Sequence, residues 1–201
     1  GLVPSILDVG CGNGLLTNQL PASIRVVGLD PSPVALESVQ REKVCADATR
    51  IPFQDGAFDV VMANDVIEHV RDTTHFLLNI RRLLRPGGTL LIVTPSLDSW
   101  SHSLLRSRWM EYKAEHLIYY NQAGLARQLD DNGFDRVTFQ SGVKKLSLDY
   151  VTAHFKKYPV PGITALLRLA HAFTPARLSG HLFPIVASGL VAVARRAPDR
   201  R

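Results

Sequence analysis

One short run, ILDVGCGNG at residues 6–14, restricts this chain more than any other stretch. Four residues suited to a buried strand, Ile6-Leu7-Asp8-Val9, break into Gly10-Cys11-Gly12-Asn13-Gly14. Leu15 to Leu20 then resumes with helix-compatible spacing. A strand that ends in a glycine turn and feeds a helix lets a ligand reach main-chain atoms with no Cβ in the way. The spacing is G-x-G-x-G, with Leu15 at the sixth position, so it departs from the G-x-G-x-x-G pyrophosphate fingerprint.

The next strands end on acids. Arg25 to Leu29 reads as a strand ending at Asp30, placed to accept hydrogen bonds from both hydroxyls of a ribose, with Pro31 beside it. Ser32 and Pro33 read as the cap and first residue of a helix. Lys43 to Ala46 reads as a third strand, followed by Asp47 and Ala48, which can reach an exocyclic amine. Ala57 to Val70 reads as a fourth, buried strand running into a polar end with Asn64 and Asp65 and then a short apolar turn. A helix over 72–85, capped by Asp72 or Thr73, stops at Arg85-Pro86-Gly87-Gly88, and Thr89 to Pro95 is a fifth strand. Alternating strands and helices predict a parallel sheet covered on both faces, with ligands beyond the carboxyl ends of the strands.

The segments LDVGCGNG (7–14), GLDPS (28–32), CADA with IPF (45–53), FDVVMANDVIEHV (58–70) and LRPGGTLLIVTP (84–95) resemble the class I S-adenosylmethionine-dependent methyltransferases. EHLIYYNQAGLARQLDDNGF (115–134) is similar to the small-molecule branch that includes the ubiquinone-type enzymes. The resemblance implies a Rossmann-like three-layer α/β/α sandwich around a mostly parallel seven-stranded sheet whose last strand is antiparallel. It also implies S-adenosylmethionine as methyl donor and S-adenosylhomocysteine as product. Gly10, Cys11, Gly12 and Gly14 would hold the methionine part, Asp8 would orient the loop, and Asp30 with Pro31 would meet the ribose. Asp47 and Ala48 would read adenine, and Asn64, Asp65 and His69 would lie near the sulfonium. The sulfonium already activates the methyl group, so the protein need only align an acceptor and exclude water. Relatives usually carry helices before the first strand that cover the cofactor, whereas here that strand starts close to Gly1; the expectation is either that the chain is truncated or that its lid comes from elsewhere.

Two other readings share part of the pattern. A nicotinamide-dependent oxidoreductase would use the same first turn and ribose acid, but the missing third glycine, Asp47 and the Pro-Gly-Gly turn weigh against it. A non-catalytic scaffold of the same fold would have no need for Asp30 and Asp47.

The second half is expected to select the acceptor. The 201 residues suit a single domain, with residues 1–95 as the cofactor half and 96–201 as the substrate half. Asn121 reads as the cap of a helix over 122–132, Phe134 to Gln140 as a sixth strand, and Gly189 to Ala194 as the last. Residues 144–187 between them read as a helical insertion capping the substrate pocket. The alternative use of that insertion is a surface for homodimerisation or peripheral membrane contact. Charge is uneven: residues 1–100 hold 8 Lys/Arg against 11 Asp/Glu, and residues 101–201 hold 15 against 7. Arg195, Arg196, Arg200 and Arg201 read as part of a basic tail. No aromatic-interleaved basic stripe of the kind that stacks bases is present, which disfavours nucleic acid.

An O-methylation needs a proton acceptor, and histidine titrates in the right range. His116, in the aromatic segment after the fifth strand, is the first candidate and His69 the second; Tyr119 or Tyr120 would position the acceptor. No carboxylate-and-histidine cluster suggests metal-assisted chemistry, and neither cysteine spacing reads as a metal site, so no metal is expected. The residual acceptor class is a small metabolite, with O-methylation favoured. Two cysteines without disulfide-like spacing, and no visible signal peptide, suggest a cytoplasmic location.

Overall fold

The structure, a computed structural model, describes residues 3–198. Arg200 and Arg201 therefore lie outside the described residues. Seven strands form one sheet in the order β3-β2-β1-β4-β5-β7-β6. They are β1 (Ser5–Val9), β2 (Arg25–Asp30), β3 (Glu42–Cys45), β4 (Phe58–Asn64), β5 (Leu84–Pro95), β6 (Phe134–Ser147) and β7 (Leu182–Arg196). Neighbours from β3 to β5 run parallel, and β7 runs antiparallel between β5 and β6. This is the Rossmann-like sheet the motifs imply. Strand order reverses at β1/β4, so a crevice opens beyond the carboxyl ends of the central strands.

The helices are α1 (Pro33–Leu36), α2 (Thr73–Leu83), α3 (Trp100–Leu105), α4 (Gln122–Asp131), α5 (Leu148–Lys157), α6 (Ile163–Phe173) and α7 (Ala176–Ser179). The caps follow the sequence. Ser32, Asp72 and Asn121 accept from the main-chain N–H groups of Ala35, His75 and Gly124. α2 turns Phe76, Leu77, Ile80 and Leu83 onto Leu7, Val61, Leu90 and Ile92 of the sheet, all fully buried. Burying each such side chain is worth roughly 1.5–3 kcal/mol, so this contact rigidifies the strands whose ends form the site.

Several boundaries differ from expectation. The helix expected after the glycine loop is a single 3₁₀ turn, Thr17–Gln19. Thr17 is drawn in by Asp8, and Leu15 and Leu16 remain exposed, so no apolar stripe forms to anchor a longer helix. β5 starts at Leu84, ahead of the Pro-Gly-Gly turn. Its register against β4 jumps from Phe58↔Leu84 to Val60↔Thr89, and Gly87, at φ +73°, takes up the extra residues. β6 and β7 are both longer than expected and form a two-stranded arm beyond the sheet. Gly142 and Gly189 face each other there so closely that a Cβ on Gly142 would lie 3.0 Å from the Gly189 main chain. Pro184 lies in the part of β7 that pairs only with β6, where one edge of the strand has no neighbour in the sheet to receive an N–H. The helical insertion thus spans α5 to α7, residues 148–179, rather than 144–187. Arg195 and Arg196 belong to β7, and their guanidinium groups donate to the carbonyls of Gly87 and Leu84.

Candidate cofactor and acceptor site

The glycine loop is held from below. Gly10 and Cys11 N–H both donate to the Leu29 carbonyl, at 2.7 and 3.0 Å, which clamps the loop onto the end of β2. Gly10, Gly12 and Gly14 have φ of +70°, +54° and +77°, a region that non-glycine residues enter at a cost. Asp8 is buried beneath the loop and accepts from Thr17 Oγ1 at 2.5 Å; burial raises its carboxyl above the usual range. Its role is to tie the loop's exit to β1. Cys11 Sγ packs against Gly28 on the sheet, so its side chain belongs to the scaffold. Burial, then the Asp8 and Asp30 carboxylates, push this thiol up to about 12.

Above the loop lies a cleft of about 540 Å³ lined by Gly10, Asp30, Pro31, Asp47, Ala48, Thr49, Asp65, Val66, His69 and neighbouring residues. Six of the proposed cofactor residues converge there with His69: Gly10, Asp30, Pro31, Asp47, Ala48 and Asp65. Asp8, Cys11, Gly12, Gly14 and Asn64 do not line it. Asp30 spans the two sides of the crevice: Oδ2 accepts from Gly12 N–H and Oδ1 from Ser32 N–H, both at 2.9 Å. Each oxygen retains a further acceptor site. Asp47 accepts from Thr49 N–H and Oγ1 through Oδ1, which holds its carboxyl below the usual range. Asp65 stands in a left-handed conformation, φ +51°, with its N–H on the Val93 carbonyl. Four carboxylates (Asp30, Asp47, Asp65 and Asp72) against Arg71 give the cleft a negative lining suited to a cationic ligand. A larger hollow, about 820 Å³, lies at the amino end of β6 between α2 and α4, away from these strand ends.

The segment after α3 is tied to the Glu68–His69 turn, whose His69 lines the cleft. Leu117 N–H donates to the Glu68 carbonyl at 2.8 Å, and His69 Nδ1 lies 2.9 Å from the Glu115 carbonyl. These bonds bring His116 against His69, with ring centroids 4.8 Å apart, edge to face. His116 is buried and its Nδ1 has no hydrogen-bond partner. Burial, with the neighbouring His69 and Lys113, lowers its pKa. Glu68 is fully enclosed; one carboxylate oxygen accepts from Thr94 Oγ1 at 3.1 Å and the other has no hydrogen bond. Burial raises this carboxyl. Donor atoms of Glu68, His69 and His116 lie within 4.8 Å of one another, a grouping that could hold a metal ion. Sequence reasoning passed over Glu68. The available signal was a carboxylate between Ile67 and His69 in an otherwise apolar turn.

The two tyrosines separate. Tyr119 sits in a ring cluster with Trp109, Tyr112 and His116, its hydroxyl between the N–H and carbonyl of Lys113. Tyr120 is a core residue, so the acceptor-positioning role read for it does not fit its burial. The aromatic segment and the helical insertion pack together through Leu105, Trp109, Met110, Phe155, Ile163 and Leu167.

A family model described as a methyltransferase domain matches residues 2–138. The chain belongs to the class I S-adenosylmethionine-dependent methyltransferase family. The human mitochondrial ubiquinone biosynthesis O-methyltransferase is 35% identical over 113 residues, 49% of this chain and 31% of that protein. This chain thus spans about a third of the length of the first curated relatives it matches. A methyltransferase structure from Methanosarcina mazei superposes with a TM-score of 0.65 at 18% identity, covering 98% of this chain and 94% of that one. The phosphoethanolamine N-methyltransferase 2 of Haemonchus contortus, solved with S-adenosylmethionine, gives 0.64 at 17% identity, covering 98% and 49%. At these identities both structures speak for the fold alone.

Proposed function

We propose that the cleft binds S-adenosylmethionine and that this methyltransferase moves its methyl group to the hydroxyl of a small-molecule acceptor. The observation that carries the reading is His69, which lines the cleft, with His116 packed edge to face behind it and a buried, unpartnered Nδ1 on His116. The residues fit the donor. Asp30 offers two carboxylate oxygens with spare acceptor sites, Gly10 leaves the cleft floor without a Cβ, and the carboxylate lining suits a sulfonium and an ammonium. The bound cofactor would supply a methyl group already activated for displacement. What the chain adds is placement, exclusion of water and a proton acceptor. While the bound cofactor would supply the methyl group and keep its own sulfur, His116 would take up the proton that the acceptor hydroxyl gives up. The ubiquinone-type relative supports a small hydroxylated acceptor.

The test combines calorimetry with turnover. S-adenosylhomocysteine should bind in the micromolar range and NAD⁺ should not. Transfer from labelled S-adenosylmethionine to a panel of phenols and small hydroxy acids should fall at least about tenfold in His116→Ala, the scale of general-base loss, with cofactor affinity unchanged. Undiminished turnover removes His116 from the chemistry. The grouping of Glu68 with the two histidines favours a second reading, in which a divalent cation held there orients the acceptor hydroxyl. Loss of turnover in EDTA, restored by a divalent transition metal such as Zn²⁺, would select it.

A further inference from the structure

The helical insertion carries an apolar face that the methyl-transfer reading does not use. α6, ITALLRLAHAF, is apolar nearly all round. Ile163, Thr164 and Leu167 turn inward, where Ile163 and Leu167 pack with Phe155 and Trp109; His171 closes on Asp149 at 2.8 Å. On the other side Leu166, Leu169 and Phe173 are 68%, 57% and 81% exposed. Their spacing of three and four residues lines them along one stripe, with Ala165, Ala170 and Ala172 on its flanks. A helix that is apolar on every side is ordinarily enclosed on every side. Here one side is bare from Leu166 to Phe173, about 10 Å along the helix.

Charge says what covers it. Residues 144–182 hold six Lys and Arg and one carboxylate, Asp149. Lys156, Lys157, Arg168 and Arg177 are exposed, with Arg168 on α6 itself. Asp149 is taken up by His171, and the Ser179 hydroxyl also bonds to it. A two-fold contact between copies would set this basic face against itself with no acidic group to meet it. No helix among the described residues is long and apolar enough to cross a membrane. An apolar stripe on a segment whose exposed charges are almost all cationic instead suits a helix lying in the plane of a lipid–water interface.

We propose that the outer face of α6, with the exposed cations of this segment, docks this protein on anionic lipid bilayers. The side chains Leu166, Leu169 and Phe173 enter the acyl boundary, and Lys156, Lys157, Arg168 and Arg177 meet the lipid phosphates. The proposal stands apart from the choice of methyl acceptor.

Vesicle co-sedimentation of the whole chain tests it, with phosphatidylcholine vesicles prepared with and without phosphatidylglycerol. Wild type should pellet only with the anionic vesicles and be released by high salt. The triple variant Leu166→Asn/Leu169→Asn/Phe173→Asn should lose at least about tenfold in partitioning. Because these side chains are exposed, its melting temperature and S-adenosylhomocysteine affinity should stay at wild-type values, which shows that it folds. Arg168→Glu should also weaken binding. Three results would overturn the proposal: no binding of wild type to anionic vesicles, equal binding by the folded triple variant, or a wild-type dimer in sedimentation velocity that this variant dissociates.

Discussion

Gly10 is the tightest point of the cleft, and the cost of filling it can be worked from the structure. A Cβ there would lie inside the 3.0 Å that real Cβ atoms essentially never breach from Val66 Cγ2, with Val66 Cβ at 3.7 Å and Cγ1 at 3.9 Å. Val66 is β-branched and cannot swing aside freely. The φ of +70° adds about 1–2 kcal/mol for any L side chain, and the overlap adds about 1–3 kcal/mol. The Gly10 N–H is held by Leu29, so relief by shifting the loop would disturb Gly12 and its bond to Asp30. Gly10→Ala is therefore expected to cost about 2–5 kcal/mol between fold stability and cofactor binding. Its share in binding should appear as an S-adenosylhomocysteine affinity about 10- to 100-fold weaker. Val66→Ala alone should cost about 1 kcal/mol, since Val66 is only half-buried. In the double variant the overlap vanishes but the φ strain stays, so a double-mutant cycle should show about 1–3 kcal/mol of favourable coupling. Calorimetric titration and thermal unfolding of the four proteins measure it. Wild-type affinity in Gly10→Ala, or strict additivity in the double variant, would refute the steric reasoning.

Three further outcomes are expected. Asp30→Ala should weaken S-adenosylhomocysteine binding by about 1–3 kcal/mol in calorimetry, because it removes a charged acceptor and frees the Gly12 and Ser32 N–H groups it organises. At pH 8 a thiol with a pKa of about 12 is almost entirely protonated, so iodoacetamide should modify exposed Cys45 and spare Cys11 until the protein is denatured; two rapid equivalents per native chain, read by mass spectrometry, would contradict the buried packing. Asp59 accepts from Ser5 N–H and Oγ and pairs with Arg85, and the Ser5 N–H foremost holds its carboxyl below the usual range. The stability it contributes is present above the unfolded-state pKa and lost as pH falls through the lower folded-state value. Asp59→Asn should therefore cost on the order of 1 kcal/mol at neutral pH, with the gap closing below about pH 4 in urea melts; a gap that persists at pH 2 would count against the assignment.

What the sequence by itself determined is the local part. ILDVGCGNG specifies its own turn, because positive φ at Gly10, Gly12 and Gly14 is a property of those residues. Ser32, Asp72 and Asn121 cap helices through bonds three residues long. Strand-end acids at positions 30, 47 and 65 follow from the alternation of apolar and polar runs, and the family motifs carry the strand order. Only the tertiary structure decided which of these residues share the cleft. Cys11 belongs to the loop motif, yet its side chain packs on Gly28, a contact made by β2 passing beneath. Glu68 and His116 are 48 positions apart and meet only because Leu117 and His69 lace the segment after α3 to the turn. The length of β6 and β7 was equally hidden, since Pro184 reads as punctuation until its strand is seen to have one partner rather than two. The bare face of α6 has the same origin. Helical spacing marks Leu166, Leu169 and Phe173 as apolar, and only packing reveals that Ile163 and Leu167 take the interior and leave that stripe outside. Backbone turns and caps are set by short-range sterics and hydrogen bonds, whereas burial and side-chain convergence depend on contacts between residues distant in the chain.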